Sequence, residues 1–370
     1  MPSINRRSLL IGLGALTATA GLTACSTSTT AASDTGVASE TAGNGTAAEP
    51  NLELILLGTQ AGPPIQPDRA GISTALTVAG RTYLVDCGRK STTQYVNSGL
   101  TLRSLDSIFI THLHADHVSD YYNYFLLGGM VPNSLGDNLS GPVKIYGPGP
   151  AGGLPERYGG GVAPVVSPND PTPGIGAMTS SLHDAYAYSS NVFLRDTGIR
   201  DIRTLTDVRE IALPEVGSSY TSPHPDMDPF VVMTDDRVTV SATLVPHGPV
   251  YPAFAFRFDT EFGSVTFSGD TTYSENLIKL ATGTDVLVHE AINVEGADLD
   301  ETLKAHLLEG HVEVQQVGSI AERCGASQLV LSHIGDMAGL LDDGQWKSWA
   351  SQGYSGSVTV GHDLQRIRLA

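Results

Sequence analysis

Apolar residues along the chain crowd into short runs separated by glycine, proline and polar turns. LELILL at 52–57, STALTV at 73–78 and TYLVD at 82–86 are each of strand length and rich in Leu, Val, Ile and Thr, side chains that suit a pleated surface. The Gly and Pro between them punctuate the chain, so the pattern predicts a meander of strands. SIFIT at 107–111 reads as a further strand, and DYYNYFLLGG beyond it spaces its apolar residues as a helix does. Strand patterns return in VTVSATLVP at 238–246, AFAFRF at 253–258 and SVTFS at 264–268. After them DVLVHEA and QLVLSHI flank EVQQVGSIAERC, which reads as a helix. The second half thus echoes the first, with strands and helices in alternation and no short period of the solenoid type. Between the halves, GPGPAGGLPERYGGGVAPVVSPNDPTPG, a weakly helical stretch and SPHPDMDP predict an insertion at about 133–235 that shapes one side of a cleft.

The first 50 residues do not share this pattern. Arg6 and Arg7 precede SLLIGLGALTATAGLTA, an apolar run too short and too rich in small residues for a membrane span. The stretch therefore reads as a signal peptide over 1–24, and NRRSLL resembles the twin-arginine export signal. LTAC, ending at Cys25, resembles the lipobox in which cleavage leaves a lipid-bearing cysteine. Residues 25–50 hold little but Ser, Thr, Ala and Gly and predict a flexible tether. These readings make the protein an exported bacterial lipoprotein, held by Cys25 at the outer face of the cell membrane, with its folded domain over 51–370. The 370 residues carry a formal charge of −18, which excludes a basic footprint for phosphate backbones, so no nucleic-acid partner is expected. Cys87 and Cys324 are the cysteines of the domain and are expected to be buried small residues rather than a bridge.

Candidate chemistry begins at the end of the SIFIT run. THLHADHVSD places His112, His114, Asp116 and His117 within six positions, on a strand-to-helix loop. Neutral imidazole and carboxylate are the usual ligands of catalytic zinc, where three protein ligands leave a position open. Alternate residues of an extended loop project to one side, and one tetrahedral ion cannot use all four plus further candidates, so two neighbouring metals are expected. Those further candidates exist: His247 closes VTVSATLVPH, Asp270 lies in FSGDTTY after a strand, and His333 ends LVLSH. Each is an apolar run delivering one ligand at its C-terminal tip, where loops converge.

In this order and spacing, THLHADH, SGDT, VHEA and LSHI resemble the metallo-β-lactamase superfamily. The likeness is greater to its branch of tRNA 3′-processing endonuclease Z and related arylsulfatases and phosphodiesterases. It extends over about 50–370 through LLGT, DRAGISTAL, VDCG and the terminal VGHDL. It implies an α/β (α+β) fold, a four-layer αββα sandwich with metals at one edge between the sheets. It also implies that His112, His114 and His247 hold one zinc, that Asp116, His117 and His333 hold the other, and that Asp270 bridges them. Mn²⁺ or Fe²⁺ suits the same donors. Two such cations lower the pKa of a shared water and stabilise charge in the displacement, so an ester is attacked by hydroxide without a protein nucleophile. Asp116 would also orient that hydroxide. His311 in EGHVEVQQV matches the branch's proton donor and is expected to act as general acid, with Glu290 in VHEA as its acidic partner and Asp86 in VDCG orienting a metal-bound histidine.

The resemblance is not complete. Val312 follows His311 where the endonucleases carry a small hydroxyl residue, and Asp120 stands where they carry glycine; both bear on substrate identity rather than on metal binding. The expected function is a binuclear zinc hydrolase cleaving a small-molecule phosphodiester or sulfate ester. The alternatives are lactone or other cyclic ester or amide hydrolysis at the same site, and a metal-binding lipoprotein without catalysis. A homodimer is compatible with the resemblance. His289, His183, His224, His306 and His362 are not expected to be ligands. Tyr121, Tyr122, Tyr124 and Phe125 are expected in part in the core, with one or two left to line a pocket. GPGPAGG is expected to be a mobile loop and not a phosphate cradle.

Overall fold

The computed structural model describes residues 51–370 apart from 130, 134, 198 and 340. The expected signal peptide and tether, with Cys25, lie outside the described residues. In chain order the strands are β1 (Leu52–Gly58), β2 (Ser73–Val78), β3 (Arg81–Val85), β4 (Leu105–Phe109), β5 (Val143–Gly147), β6 (Thr206–Glu210) and β7 (Phe230–Thr234). The second half adds β8 (Val238–Leu244), β9 (Phe254–Thr260), β10 (Gly263–Phe267), β11 (Val286–Asn293), β12 (Gln328–Asp336), β13 (Ser357–Val360) and β14 (Gln365–Arg368). They form two seven-stranded sheets, ordered β14-β1-β2-β3-β4-β5-β6 and β13-β12-β11-β10-β9-β8-β7. The helices are α1 (Ser91–Asn97), α2 (Ala115–Val118), α3 (Asn123–Leu126), α4 (Ile175–Ala185), α5 (Ala187–Thr197), α6 (Glu275–Ala281), α7 (Glu301–Gly310), α8 (Val314–Cys324) and α9 (Asp343–Ala350).

Three apolar layers explain why the strand sequences read as nearly continuous hydrophobic runs. Successive side chains of a strand point to opposite faces, and here both faces are covered. Leu52, Leu54 and Leu56 of β1 pack between the sheets with Phe109, Phe256 and Phe258. Ile55 and Leu57 point outward to Tyr95 of α1, Phe125 of α3 and Ile175 of α4. On the far side Leu287, Leu329 and Leu331 meet Leu277 of α6, Val317 of α8 and Trp346 of α9. The order of layers is helix, sheet, sheet, helix, as expected. Phe109 is a hub of the central layer, stacked on Tyr146 at 5.0 Å and meeting Phe256 and Phe258 edge-on at 5.5 and 5.0 Å.

The sheets are also tied by charge. Asp235, in the β7–β8 turn, accepts hydrogen bonds from Tyr83 Oη at 2.7 Å and Arg81 Nη1 at 3.0 Å, both on β3. Its other oxygen accepts from the backbone amides of Arg237 and Val238 at 2.8 and 2.9 Å. At the outer edge, Glu53 of β1 is buried and paired with Arg366 and Arg368 of β14, so a strand of alternating polar residues completes the sheet.

Two expectations are corrected. The stretch at 133–235 is not wholly an insertion, because it supplies β5 and β6, parallel continuations of the first sheet, and β7, the edge of the second. VKIYG is only five residues long, and TDVRE is half-exposed at a sheet edge, so neither shows a strong apolar run. DYYNYFLLGG, expected to be helical, holds only the short α3, and Tyr121, Tyr122, Tyr124 and Phe125 are all buried in the outer core, with none of them lining the pockets around the donor groups. Cys87 and Cys324 are buried and unbridged. Asp120 is a structural residue: its carboxylate accepts from the backbone amide and the hydroxyl of Thr92 at 2.7 and 2.6 Å, satisfying a free donor in the first turn of α1.

Candidate metal centre

The candidate ligands gather where strands of both sheets end. His112 follows β4, His114 precedes α2, and Asp116 and His117 lie within it. From the second sheet, His247 follows β8, Asp270 follows β10, and His333 lies on β12. The backbone is bent to present them: Asp86 and His333 both have positive φ, 58° and 48°, conformations that cost non-glycine residues energy and cluster at functional sites. Gly269 lets Asp270 approach, since a Cβ there would lie 2.4 Å from the Phe254 carbonyl oxygen.

Two groups of donors result. His112, His114, His247 and Asp270 each place one ligand atom within 4.8 Å of the others, as do Asp116, His117, Asp270 and His333. Asp270 Oδ2 is common to both, 3.8 and 3.7 Å from Nε2 of His112 and His247 and 3.3 and 3.2 Å from Nε2 of His117 and His333. Asp116 Oδ2 lies 3.5 Å from His117 Nε2 and 3.3 Å from His333 Nε2. The structure therefore brings together all seven ligands expected from the sequence, with Asp270 between the groups. His112 Nε2, His117 Nε2 and Asp270 Oδ1 are buried without a hydrogen-bond partner. Each such orphan costs about 1–3 kcal/mol, and the two imidazole nitrogens, 3.8 and 3.3 Å from Asp270 Oδ2, fit cations. Three imidazoles with a carboxylate on one side, and two imidazoles with two carboxylates on the other, are the donor chemistry of zinc.

Surrounding residues fix which nitrogen faces the centre. Asp86, beneath the loop, accepts a hydrogen bond from His117 Nδ1 at 2.8 Å and another from the Thr111 amide at 2.8 Å. His247 Nδ1 donates to the Gly310 carbonyl at 2.8 Å, leaving its Nε2 for the centre 3.2 Å from His114 Nδ1. The Gly62 amide donates to Asp116 Oδ2 at 3.0 Å. Thr111, Gly62 and Gly310 were not legible as site residues, because two of them act through backbone groups and Thr111 through a hydroxyl that meets Asp86 at 2.9 Å and His112 Nδ1 at 3.1 Å.

A third group stands at the rim. His311, where the backbone leaves α7 in extended form, donates Nδ1 to Glu290 Oε1 at 3.2 Å, and the amides of Val312 and Thr271 donate to the same oxygen at 3.1 and 3.3 Å. The His311 ring lies 5.0 and 5.7 Å from those of His247 and His333, so it overlooks both groups. Burial pushes its pKa down, but the Glu290 carboxylate outweighs this and raises it. Burial of His247, with no carboxylate within hydrogen-bond distance, lowers its pKa to about 4, which favours the neutral imidazole. His289 is fully buried with Nδ1 on the Glu290 carbonyl at 2.6 Å and belongs to none of the three donor groups. Of the other histidines set aside, His183 is bonded to Tyr122 and His306 rests on the Tyr158 ring.

Comparison with known proteins places this arrangement. The sequence family described as Anti-Pycsar protein Apyc1 matches residues 52–121, the part carrying the loop histidines. The chain is similar to ribonuclease Z of Mycobacterium bovis (strain BCG / Pasteur 1173P2), 29% identical over 320 residues that span 86% of this chain and 98% of that protein. A ribonuclease Z of Mycobacterium sp. (strain KMS) is 28% identical over 86% of this chain and 96% of its own length. Among solved structures, human tRNase Z, short form, superposes with a TM-score of 0.55 at 21% identity, covering 86% of this chain and 99% of that one. The metallo-β-lactamase fold protein YhfI from Bacillus subtilis gives 0.54 at 18% identity, over 85% and 99%. The fold is thus the metallo-β-lactamase fold. The relatives together with the donor groups define the class as metal-dependent hydrolases.

Proposed function

We propose that the protein is a binuclear zinc hydrolase that cleaves an ester bond in a small phosphodiester or sulfate ester, as an exported lipoprotein held by Cys25 at the outer face of the membrane. The observation that carries the catalytic part is the sharing of Asp270 Oδ2 by two donor groups, with a histidine–carboxylate pair at their rim. Bound there, two metals would supply an activated water and positive charge for the ester oxygens. The chain's own residues do the rest. His112, His114 and His247 would hold one ion, Asp116, His117 and His333 the other, and Asp270 both. Asp116, anchored by the Gly62 amide, keeps one oxygen fixed in the centre. Glu290, holding Nδ1 of His311, leaves Nε2 as the nitrogen that gives a proton to the departing oxygen, a role worth about 10²–10⁴ in rate. Export and anchoring rest on Arg6, Arg7 and the LTAC sequence ending at Cys25.

The test compares bis-p-nitrophenyl phosphate, p-nitrophenyl sulfate and a chromogenic lactone on metal-loaded protein, with His311→Ala alongside. One ester class should be turned over, and His311→Ala should lower kcat by at least about 10² with metal content unchanged. Turnover of the lactone alone would move the reading to cyclic esters. Full metal occupancy without turnover of any substrate would leave a metal-binding lipoprotein. A second reading, tRNA 3′ processing, is favoured by the name of the mycobacterial relatives. The charge of −18 weighs against it, since an acidic surface repels a polyanion. Cleavage of a precursor tRNA by the purified protein would establish it.

A further inference from the structure

Beside the metal centre a second feature of the fold is ready to bind. His114 is exposed on one side of the donor cluster, and its ring also lines a pocket of about 430 Å³, within the size range of small-molecule sites. The wall is built from segments far apart in sequence: Leu113 from the metal loop, Leu154 from the Gly/Pro-rich loop, Met178 of α4, and Tyr220, Val250 and Tyr251 from the chain before and after β8. Prolines fill most of the rest, and no Lys, Arg, Asp or Glu is among the lining residues. Leu113, Met178, Tyr220, Val250 and Tyr251 are half-buried and Leu154 is 48% exposed, so the apolar surface is open to a ligand rather than sealed in the core. Across His247 the neighbouring hollow has the opposite character, with Asp226, Glu275 and Glu309 in its wall.

The contrast has a chemical consequence. A nucleotide chain needs cationic groups for its phosphates, and neither hollow supplies a Lys or Arg. An uncharged aromatic or branched aliphatic group loses water-exposed surface against Leu, Val, Met, Pro and the Tyr rings, at no cost of burying a charge. From the pocket's position and lining we infer that the substrate carries such an apolar group next to its reacting ester. The group would dock between Leu113, Leu154 and Val250 while the ester lies at the metals. This rests on the hydrolase reading above and names the substrate class for it: small esters with a bulky apolar arm.

Binding of methylphosphonate and phenylphosphonate to the full metal-loaded chain, measured by calorimetry, tests the inference independently of turnover. Phenylphosphonate should bind about tenfold or more tightly, as roughly 60 Å² of apolar surface leaving water would give. In Leu154→Asp and Val250→Asp, each placing a carboxylate in the pocket, that advantage should shrink to within about threefold; Leu154 is exposed enough for its variant to fold whatever the outcome at Val250. Equal affinities in the parent protein, no binding of either compound, or an advantage that survives both variants would overturn the inference. Turnover of bis-p-nitrophenyl phosphate is recorded in parallel. Turnover without a phenyl advantage removes the pocket assignment and leaves the hydrolase standing. A phenyl advantage with no turnover of that ester, of p-nitrophenyl sulfate or of the chromogenic lactone does the reverse.

Discussion

Asp86 offers the sharpest probe of how the centre is held, because it should touch metal affinity at one group without supplying a ligand. It is buried and accepts three hydrogen bonds, from His117 Nδ1 at 2.8 Å, the Thr111 amide at 2.8 Å and the Thr111 hydroxyl at 2.9 Å. In Asp86→Asn the shape is kept, but one oxygen becomes an amide nitrogen that can only donate. The bond to His117 joins an N–H to a carboxylate, and a bond of this charge-assisted kind contributes about 1.5–3 kcal/mol. If that orientation energy is lost only when His117 must present Nε2, the ion held by Asp116, His117, Asp270 and His333 should bind about 10–100-fold more weakly. The ion held by His112, His114 and His247 should be affected less. Chelator competition on the purified variant, resolved into two binding steps, reads this directly, with a thermal melt to show that the protein is folded. Unchanged affinity in both steps in a folded variant would refute the claim that Asp86 works by fixing the His117 ring.

Two further expectations follow from the same geometry. A Cβ at Gly310 would lie 3.1 Å from His247 Nδ1, so Gly310→Val should displace that ring and weaken the ion held by His112, His114 and His247, seen as one metal lost on mild dialysis while the melting temperature changes little. Asp235 is pulled below its ordinary pKa: burial opposes this, but the amides of Arg237 and Val238, with Tyr83 and Arg81, stabilise the charged form. A lowered folded-state pKa means stability that is present above the unfolded carboxyl value, about 3.9, and lost as pH falls through the folded value. Asp235→Asn should therefore cost about 1–3 kcal/mol at pH 7 and progressively less towards pH 3, measured by urea unfolding; an equal loss at both pH values would show that the ion pairs between the sheets are not responsible.

The candidate metal ligands were readable in the sequence because each lies at or just beyond the tip of an apolar run, a local feature. His112, His114, Asp116 and His117 share six positions, and His247 and His333 each end a strand-like pattern. What could not be read was whatever depends on contact between distant segments or on backbone groups. The Gly310 carbonyl and the Gly62 amide have no side chain to signal a role. The pocket beside His114 joins residues 113, 154, 178, 220 and 250, which no spacing rule connects. The aromatic run at 121–125 misled for a related reason: helical spacing shows which residues share a face but not whether that face meets a sheet, and here it packs under α4, with Tyr121 bonded to Thr179. The strands within 133–235 escaped notice because β6 lies at a sheet edge, where polar residues are tolerated, and Gly and Pro dominate the loops around β5.

The central claim is that two metals, held by the groups sharing Asp270, make this chain a hydrolase. Its most direct test is elemental analysis of the purified protein beside turnover of bis-p-nitrophenyl phosphate and p-nitrophenyl sulfate, before and after chelation and re-addition of zinc. Close to two metal ions per chain, with hydrolysis of one ester lost to chelator and restored by zinc, is the predicted result. Less than one ion per chain after zinc is supplied, or hydrolysis indifferent to chelator, would contradict it.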